Sequence, residues 1–347
     1  PQQRILIVQD MAGDPVMGRR VVVFDGMDRS ITGGTSDETG RVFLSIPDGP
    51  HRLEITGTTG GGGLSSNLAL GPDDRNLVAQ VGTAGFVEFT VTAGGAPSPA
   101  SIIVSGALGT FEGGAWDSRN RVQLMPGDWT VTIARGPEYD AVTENVTVVA
   151  GETVTVTADL TRVLDTTNWI AADFHQHMEP SSDSVVWVED RVLDNVAQGV
   201  ELIVPTDHDV VTDLQPVIES AGLSALVSTF PGAEISPAIA HTNMYPLPYV
   251  AEAPGRGTVS LAVLEDGEPR RRTVPELIAA ARALPTDPVI QINHPRDSSG
   301  LFDYVGFDPE LGPAAVSNQW FTTDFDAMEV SNGDECLQFA DLSGLWN

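Results

Sequence analysis

GRVFLSIPDGPHRLEITG, residues 40–57, alternates apolar and polar residues on either side of a Pro-Asp-Gly turn. Alternation of period two marks a strand with one face buried, and the turn residues between the two runs make a strand–turn–strand unit. NRVQLMPGDWTVTIARG, residues 120–136, has the same form. Upstream, DPVMGRRVVV (14–23) is echoed by APSPASIIV (96–104), a proline-marked turn leading into an apolar strand. Two copies about 80 residues apart predict tandem β-sandwiches, one over residues 1–82 and one over 83–162. Further short runs, RILIV (4–8) and RRVVVF (19–24), fit the same all-β reading. Gly60–Gly63 reads as a flexible loop, since a phosphate cradle would need a strand before it and a helix after it.

The whole chain has 347 residues with 41% hydrophobic and 19% charged residues, an ordinary globular composition. Its formal net charge is -30, from 48 acidic and 18 basic residues, and every basic residue is arginine. Such a surface repels nucleic acid and anionic membranes. The single cysteine, Cys336, excludes an intrachain disulfide and a thiolate metal cluster. No stretch is long and apolar enough to span a bilayer. The chain opens PQQRILIV with no signal region and no starting methionine, so it reads as a mature or trimmed product. The modular front end points to an exported bacterial protein, periplasmic or extracellular, with cell-surface or domain partners for its sandwiches.

After VTVTADLTRVL (154–164) the texture changes. VWVEDRVLDNVAQGV (186–200) and TVPELIAAARAL (273–284) carry helical spacing, the second with Pro275 in its first turn. Apolar runs such as ELIVPTDHD (201–209), PVIQINHP (288–295) and DAMEVSNG (326–333) end in polar, ligand-type residues. Strands alternating with helices predict a mainly parallel α/β sheet or barrel over residues 163–347.

Five of the six histidines fall in this part: His175, His177, His208, His241 and His294. The sixth, His51, is explained by a strand position in the first sandwich. In DFHQH (173–177), residues i and i+2 of an extended chain share a face, so His175 and His177 can converge on one ion. Carboxylates accompany the histidines: Asp173, Asp183, Asp207, Asp209 and Glu234. Imidazole with carboxylate and no thiolate suits zinc, manganese or iron.

Two resemblances follow from these motifs. TSDETGRVFLSIPDGPHRLEI (35–55) resembles the transthyretin-like sandwich of the carboxypeptidase regulatory domain. The ordered set DFHQH, TDH (206–208), GAE (232–234), HTN (241–243) and NHP (293–295) resembles the PHP (polymerase and histidinol phosphatase) superfamily. EVSNG (329–333) makes it look closest to the CehA/McbA-like branch of metal-dependent hydrolases. The resemblance implies a distorted (β/α)7 barrel with two or three divalent metal ions. His175 and His177 would hold the first, Glu234 would bridge the first and second, His241 and His294 would complete the second, and His208 would belong to a third. Asp183 would be a further ligand, and Asp173 and Asp207 would orient imidazoles. The superfamily's closing D-x-H is not found before GLWN, so the barrel is expected to be truncated.

The chemistry this implies is hydrolysis by a metal-bridged hydroxide of a small-molecule ester, a phosphoester or else a carbamate or carboxyl ester. Glu234 and Asp207 would serve it. Arg296 would bind an anionic substrate oxygen, or else pair with a nearby carboxylate. Arg270–Arg272 reads as a solvated loop. The alternative from another class is a non-catalytic, metal-containing surface binding module.

Overall fold

The computed structural model describes residues 2–10, 13–27, 29–56, 64–81, 85–106, 109–124, 126–297, 300–308 and 310–330. Gly60–Gly63, Cys336 and the last three residues of EVSNG lie outside the described residues. The chain divides into two compact units. One runs to Thr167 and includes Ala197–Gly199; the other holds Asn168–Val196 and the described residues from Val200 onward.

The first unit is built mainly of strands, with one 3-10 turn at Asp117–Arg119. Its first half contains β1 (Gln2–Gln9), β2 (Arg20–Phe24), β3 (Ser30–Thr35), β4 (Arg41–Ile46), β5 (Gly49–Thr56), β6 (Leu64–Leu70) and β7 (Asn76–Gln80). They form two sheets, ordered β4-β1-β7 and β3-β2-β5-β6. The alternating positions Leu6, Val8, Val42, Leu44 and Ile46 of one sheet meet Val21, Val23, Leu53 and Ile55 of the other in one apolar cluster. Each such side chain removed from water contributes about 1.5–3 kcal/mol. Arg4 is buried with them, and its guanidinium donates to the carbonyls of Ile46, Gly71 and Asp74 and pairs with Asp48 at 2.5 Å.

The second half repeats this path with β8 (Gly85–Ala93), β9 (Ala96–Pro97), β10 (Ala100–Gly106), β11 (Gly109–Ala115), β12 (Arg121–Leu124), β13 (Gly127–Ala134), β14 (Val142–Val148) and β15 (Thr153–Leu160). Its sheets are β12-β8-β15 and β11-β10-β13-β14, with the small β9 on the edge of β8. β1 pairs with β7 in parallel and β4 antiparallel; β8 pairs with β15 in parallel and β12 antiparallel. The turn glycine is also repeated. Gly49 has φ 124° and Gly127 has φ 147°, a region closed to side-chain-bearing residues, and each starts the strand that follows its turn.

Among its described residues the second unit has short strands and four α-helices. β16 (Ala172–Asp173), β17 (Leu202–Ile203) and β18 (Ser228–Thr229) form a parallel sheet. α1 (Val188–Ala197) and α2 (Gln215–Ser220) lie between them in sequence. A second sheet is ordered β19 (Ala233–Ile235), β20 (Thr242–Tyr245), β23 (Val289–Ile292) and β24 (Ala327–Met328). The hairpin β21 (Ala262–Glu265) and β22 (Glu268–Arg271), α3 (Val274–Arg282) and α4 (Leu301–Val305) complete it. α3 starts where the sequence asks: the Thr273 N–H donates to Glu276 Oε2 at 2.8 Å, and Val274, Leu277, Ile278 and Ala281 are buried.

This arrangement corrects the expected fold class. Strand takes 41% and helix 13% of the described residues, which are mostly β with several sheets. No α/β barrel closes among the described residues. The reason lies at Glu234: β19 and β20 pair antiparallel, Glu234 opposite Asn243, after a link too short for the dozen or more residues of a parallel crossover. β20 and β23 are antiparallel as well, which leaves only β23 and β24 parallel in that sheet.

Candidate metal centre

The centre is built on Glu234, which is in the middle of β19 and only 1% exposed. His175 and His177 follow β16 in a loop tied to the TDH segment. Gln176 N–H donates to Thr206 Oγ1 at 2.8 Å, and Met178 N–H to Asp207 Oδ1 at 2.7 Å. His208 stands beside Glu234 through an isolated parallel bridge, and its Nδ1 lies 2.5 Å from Ser236 Oγ. His241 leads into β20, and His294 follows β23 with a positive φ of 26°.

All five imidazoles surround the one carboxylate. Glu234 Oε2 lies 3.5 Å from His175 Nε2, 3.2 Å from His177 Nε2 and 3.2 Å from His208 Nδ1. Oε1 lies 3.3 Å from His241 Nδ1 and 3.4 Å from His294 Nε2, and accepts from Asn293 Nδ2 at 2.8 Å. Oε2 is buried and has no hydrogen bond of good geometry, despite three ring nitrogens around it. Groups that face a common point without bonding each other are placed as ligands of an ion are placed. Three sets bring their ligand atoms within 4.8 Å of one another: His175, His177 and Glu234; His177, Asp183 and His208; and His208, Glu234 and His241.

The electrostatics carry the same signature. Burial works to raise the Glu234 carboxyl, but contacts with His175, His177, His241 and His294 hold it far below the usual range. Burial works to lower His175, yet Glu234 and Glu329 outweigh it and hold the imidazole up to about 10. His177 is likewise raised, burial opposing and Glu234 and Asp183 prevailing. Asp183 is brought down to about 2, with burial outweighed by Ser181 and His177. His175 and His177 are thus held up by the carboxylates that a divalent ion would otherwise meet.

The centre opens on a cavity of about 530 Å³ whose lining includes Asp173, Arg191 and Asp297 besides the histidines, Asp183 and Glu234. Two sequence candidates stand elsewhere. Asp207 is fully buried, accepting from Met178 N–H and Thr212 Oγ1, and burial pushes its carboxyl up. Arg296 pairs with Asp303 at 3.3 Å and donates to the Phe307 carbonyl at 3.1 Å, the second of the two roles open to it. Asp173 accepts the His175 backbone N–H at 3.0 Å, fixing the loop rather than an imidazole. Sequence reasoning missed Ser236, Asn293 and Glu329. Glu329 had a signal, its place in EVSNG, but no role.

No family model matches the chain, and no curated protein does. Among solved structures, it is similar to the TIE protein of Bacillus anthracis at 14% identity, over 46% of this chain and 34% of that one, with a TM-score of 0.22. It is similar to a minor pilin of Streptococcus agalactiae at 15% identity, over 48% of this chain and 98% of that one, with a TM-score of 0.26. A shaft pilin of Lactobacillus rhamnosus GG matches at 10% identity, over 47% and 98%, with a TM-score of 0.20. The chain thus spans about a third of the TIE protein's length.

The resemblances to the PHP superfamily, its CehA/McbA-like branch and the carboxypeptidase regulatory domain are corrected: no family model or curated protein matches, and no α/β barrel closes among the described residues. The expected phosphoesterase or other ester hydrolase activity is corrected with them. Of the three side chains expected to serve the reaction, Asp207 is sealed in the interior and Arg296 is paired with Asp303, while Glu234 stands at the centre among the imidazoles. Among the described residues no helix is long and apolar enough to cross a membrane.

Proposed function

We propose that the second unit binds divalent transition-metal ions and that the protein is a surface module whose site holds metal rather than turning over a substrate. The observation that carries this is Glu234 Oε2, a buried acceptor without a hydrogen bond and with three imidazole nitrogens 3.2–3.5 Å away. Imidazole and carboxylate donors without thiolate fit zinc, manganese or iron. Two of the three ligand sets share Glu234, so two ions would be bridged by its carboxylate, and the set with Asp183 offers a place for a third. The tandem sandwiches of the first unit support export, with their outer faces available to surface or domain partners.

The test is metal content and affinity. The full chain is stripped with a chelator, dialysed and titrated with Zn²⁺ and Mn²⁺ by calorimetry. At least one ion is expected to bind in the micromolar range or tighter, and His177→Ala, which belongs to two ligand sets, is expected to weaken it. A folded parent protein that takes up neither ion overturns the reading.

A further inference from the structure

Glu329 follows β24 directly and reaches two of the five histidines at once. Its Oε1 lies 2.9 Å from His175 Nδ1, and its Oε2 accepts the His294 backbone N–H at 2.8 Å. Its side chain is 12% exposed and that of His175 15%, so the contact is shielded from water. The other ring nitrogen of His175, Nε2, is the one that faces Glu234 Oε2.

A carboxylate can only accept, so the nitrogen beside it carries the hydrogen and leaves the lone pair of a neutral imidazole on the opposite nitrogen. Metal-bound histidines are commonly held in this way, with ring orientation and tautomer set by an outer acceptor. Resting on the metal-binding reading above, we infer that Glu329 is the positioning residue of the centre. It holds His175 with hydrogen on Nδ1 and Nε2 turned to the ion, and it anchors the backbone of His294 with its second oxygen.

The placement differs from that of the other ring partners. Asp183 and Ser181 meet His177 Nδ1 from six and four residues away, and Ser236 meets His208 from 28. Glu329 comes from 154 residues along the chain. It is delivered by the parallel pairing of β23 with β24, where Met328 stands opposite Ile292 and the Glu329 N–H donates to the Ile292 carbonyl at 2.9 Å. The last described strand therefore sets the first histidine of the site. Truncating this side chain disturbs the centre without removing any member of the three ligand sets.

The experiment compares the full chain with Glu329→Ala and Glu329→Gln, using Zn²⁺ affinity by competition with a chelating dye and ¹⁵N-resolved imidazole spectra. Glu329→Ala is expected to keep the far-ultraviolet circular dichroism of the parent and to bind Zn²⁺ about 10–100-fold more weakly. In it, His175 is expected to lose its single Nδ1–H form. Glu329→Gln, whose amide oxygen still accepts from Nδ1, is expected to recover part of both effects, and it carries the comparison should the alanine variant unfold. Zn²⁺ affinity within twofold of the parent, or an unchanged His175 spectrum, overturns the inference. A parent that binds no Zn²⁺ refutes the metal reading instead. The positioning role is then decided in the metal-free protein: a hydrogen-bonded Nδ1 proton of His175 seen in the parent and lost in Glu329→Ala supports it, and its absence from the parent overturns it.

Discussion

Replacing Glu234 with glutamine gives the sharpest perturbation of the centre. The side chain keeps its size, and the retained oxygen can still accept from Asn293 Nδ2, now at 2.8 Å. What is lost is the charge and the second carboxylate oxygen, the atom around which His175, His177 and His208 gather at 3.2–3.5 Å. Two of the three ligand sets lose their only carboxylate, while the set of His177, Asp183 and His208 keeps all its members. Loss of an outer partner alone typically weakens metal binding about 10–100-fold. Loss of an anionic ligand belongs at or beyond the upper end, about 100-fold or about 2.7 kcal/mol. Calorimetric titration of the chelator-stripped variant with Zn²⁺ is expected to show this drop together with reduced stoichiometry. Asp183→Asn, in one set only, is expected to cost less. A folded Glu234→Gln protein with the parent's affinity and stoichiometry would refute the reasoning.

Other outcomes follow from the same structure. Metal affinity is expected to fall as pH falls, because ligand imidazoles must be neutral; His175, held up to about 10 without the ion, must release its proton on binding, so the calorimetric enthalpy at pH 7 should vary with the buffer's ionisation enthalpy. Ile133→Ala, at a fully buried position opposite Ile102, is expected to cost about 2–5 kcal/mol, read as faster hydrogen exchange across 127–134. Ile103→Ala, on a side chain 39% exposed, should stay within about 0.5 kcal/mol. Gly49→Ala meets no atom within 4 Å, so its expected cost of about 1–3 kcal/mol comes from φ alone; Gly26→Ala, equally open but without a positive φ, should be near neutral in the same urea titration.

Local signals were legible where the physics is local. Alternation over 41–46 places Val42, Leu44 and Ile46 on one buried face of β4, and helical spacing with Pro275 in the first turn matches α3 at Val274–Arg282. The strand-like spacing of DFHQH was less complete. β16 ends at Asp173, and the two histidines stand in the loop beyond, oriented by bonds to Thr206 and Asp207 that no spacing rule contains. The apolar runs at 201–209 and 288–295 look alike in sequence. Yet β17 joins a parallel sheet and β23 an antiparallel partner, a difference that depends on where the chain returns.

By itself the sequence determined which residues carry turn chemistry, which face of each repeated strand is apolar, and that five of the six imidazoles fall after residue 164. These depend on φ preference, period and residue type, all carried within a few positions. Only the tertiary structure decided that the strands around Glu234 return antiparallel and that Arg296 pairs with Asp303. It alone brought Glu329 to His175 across 154 residues. Hydrogen-bond direction between distant strands and the meeting of side chains far apart in the chain are set by packing, which no local pattern encodes.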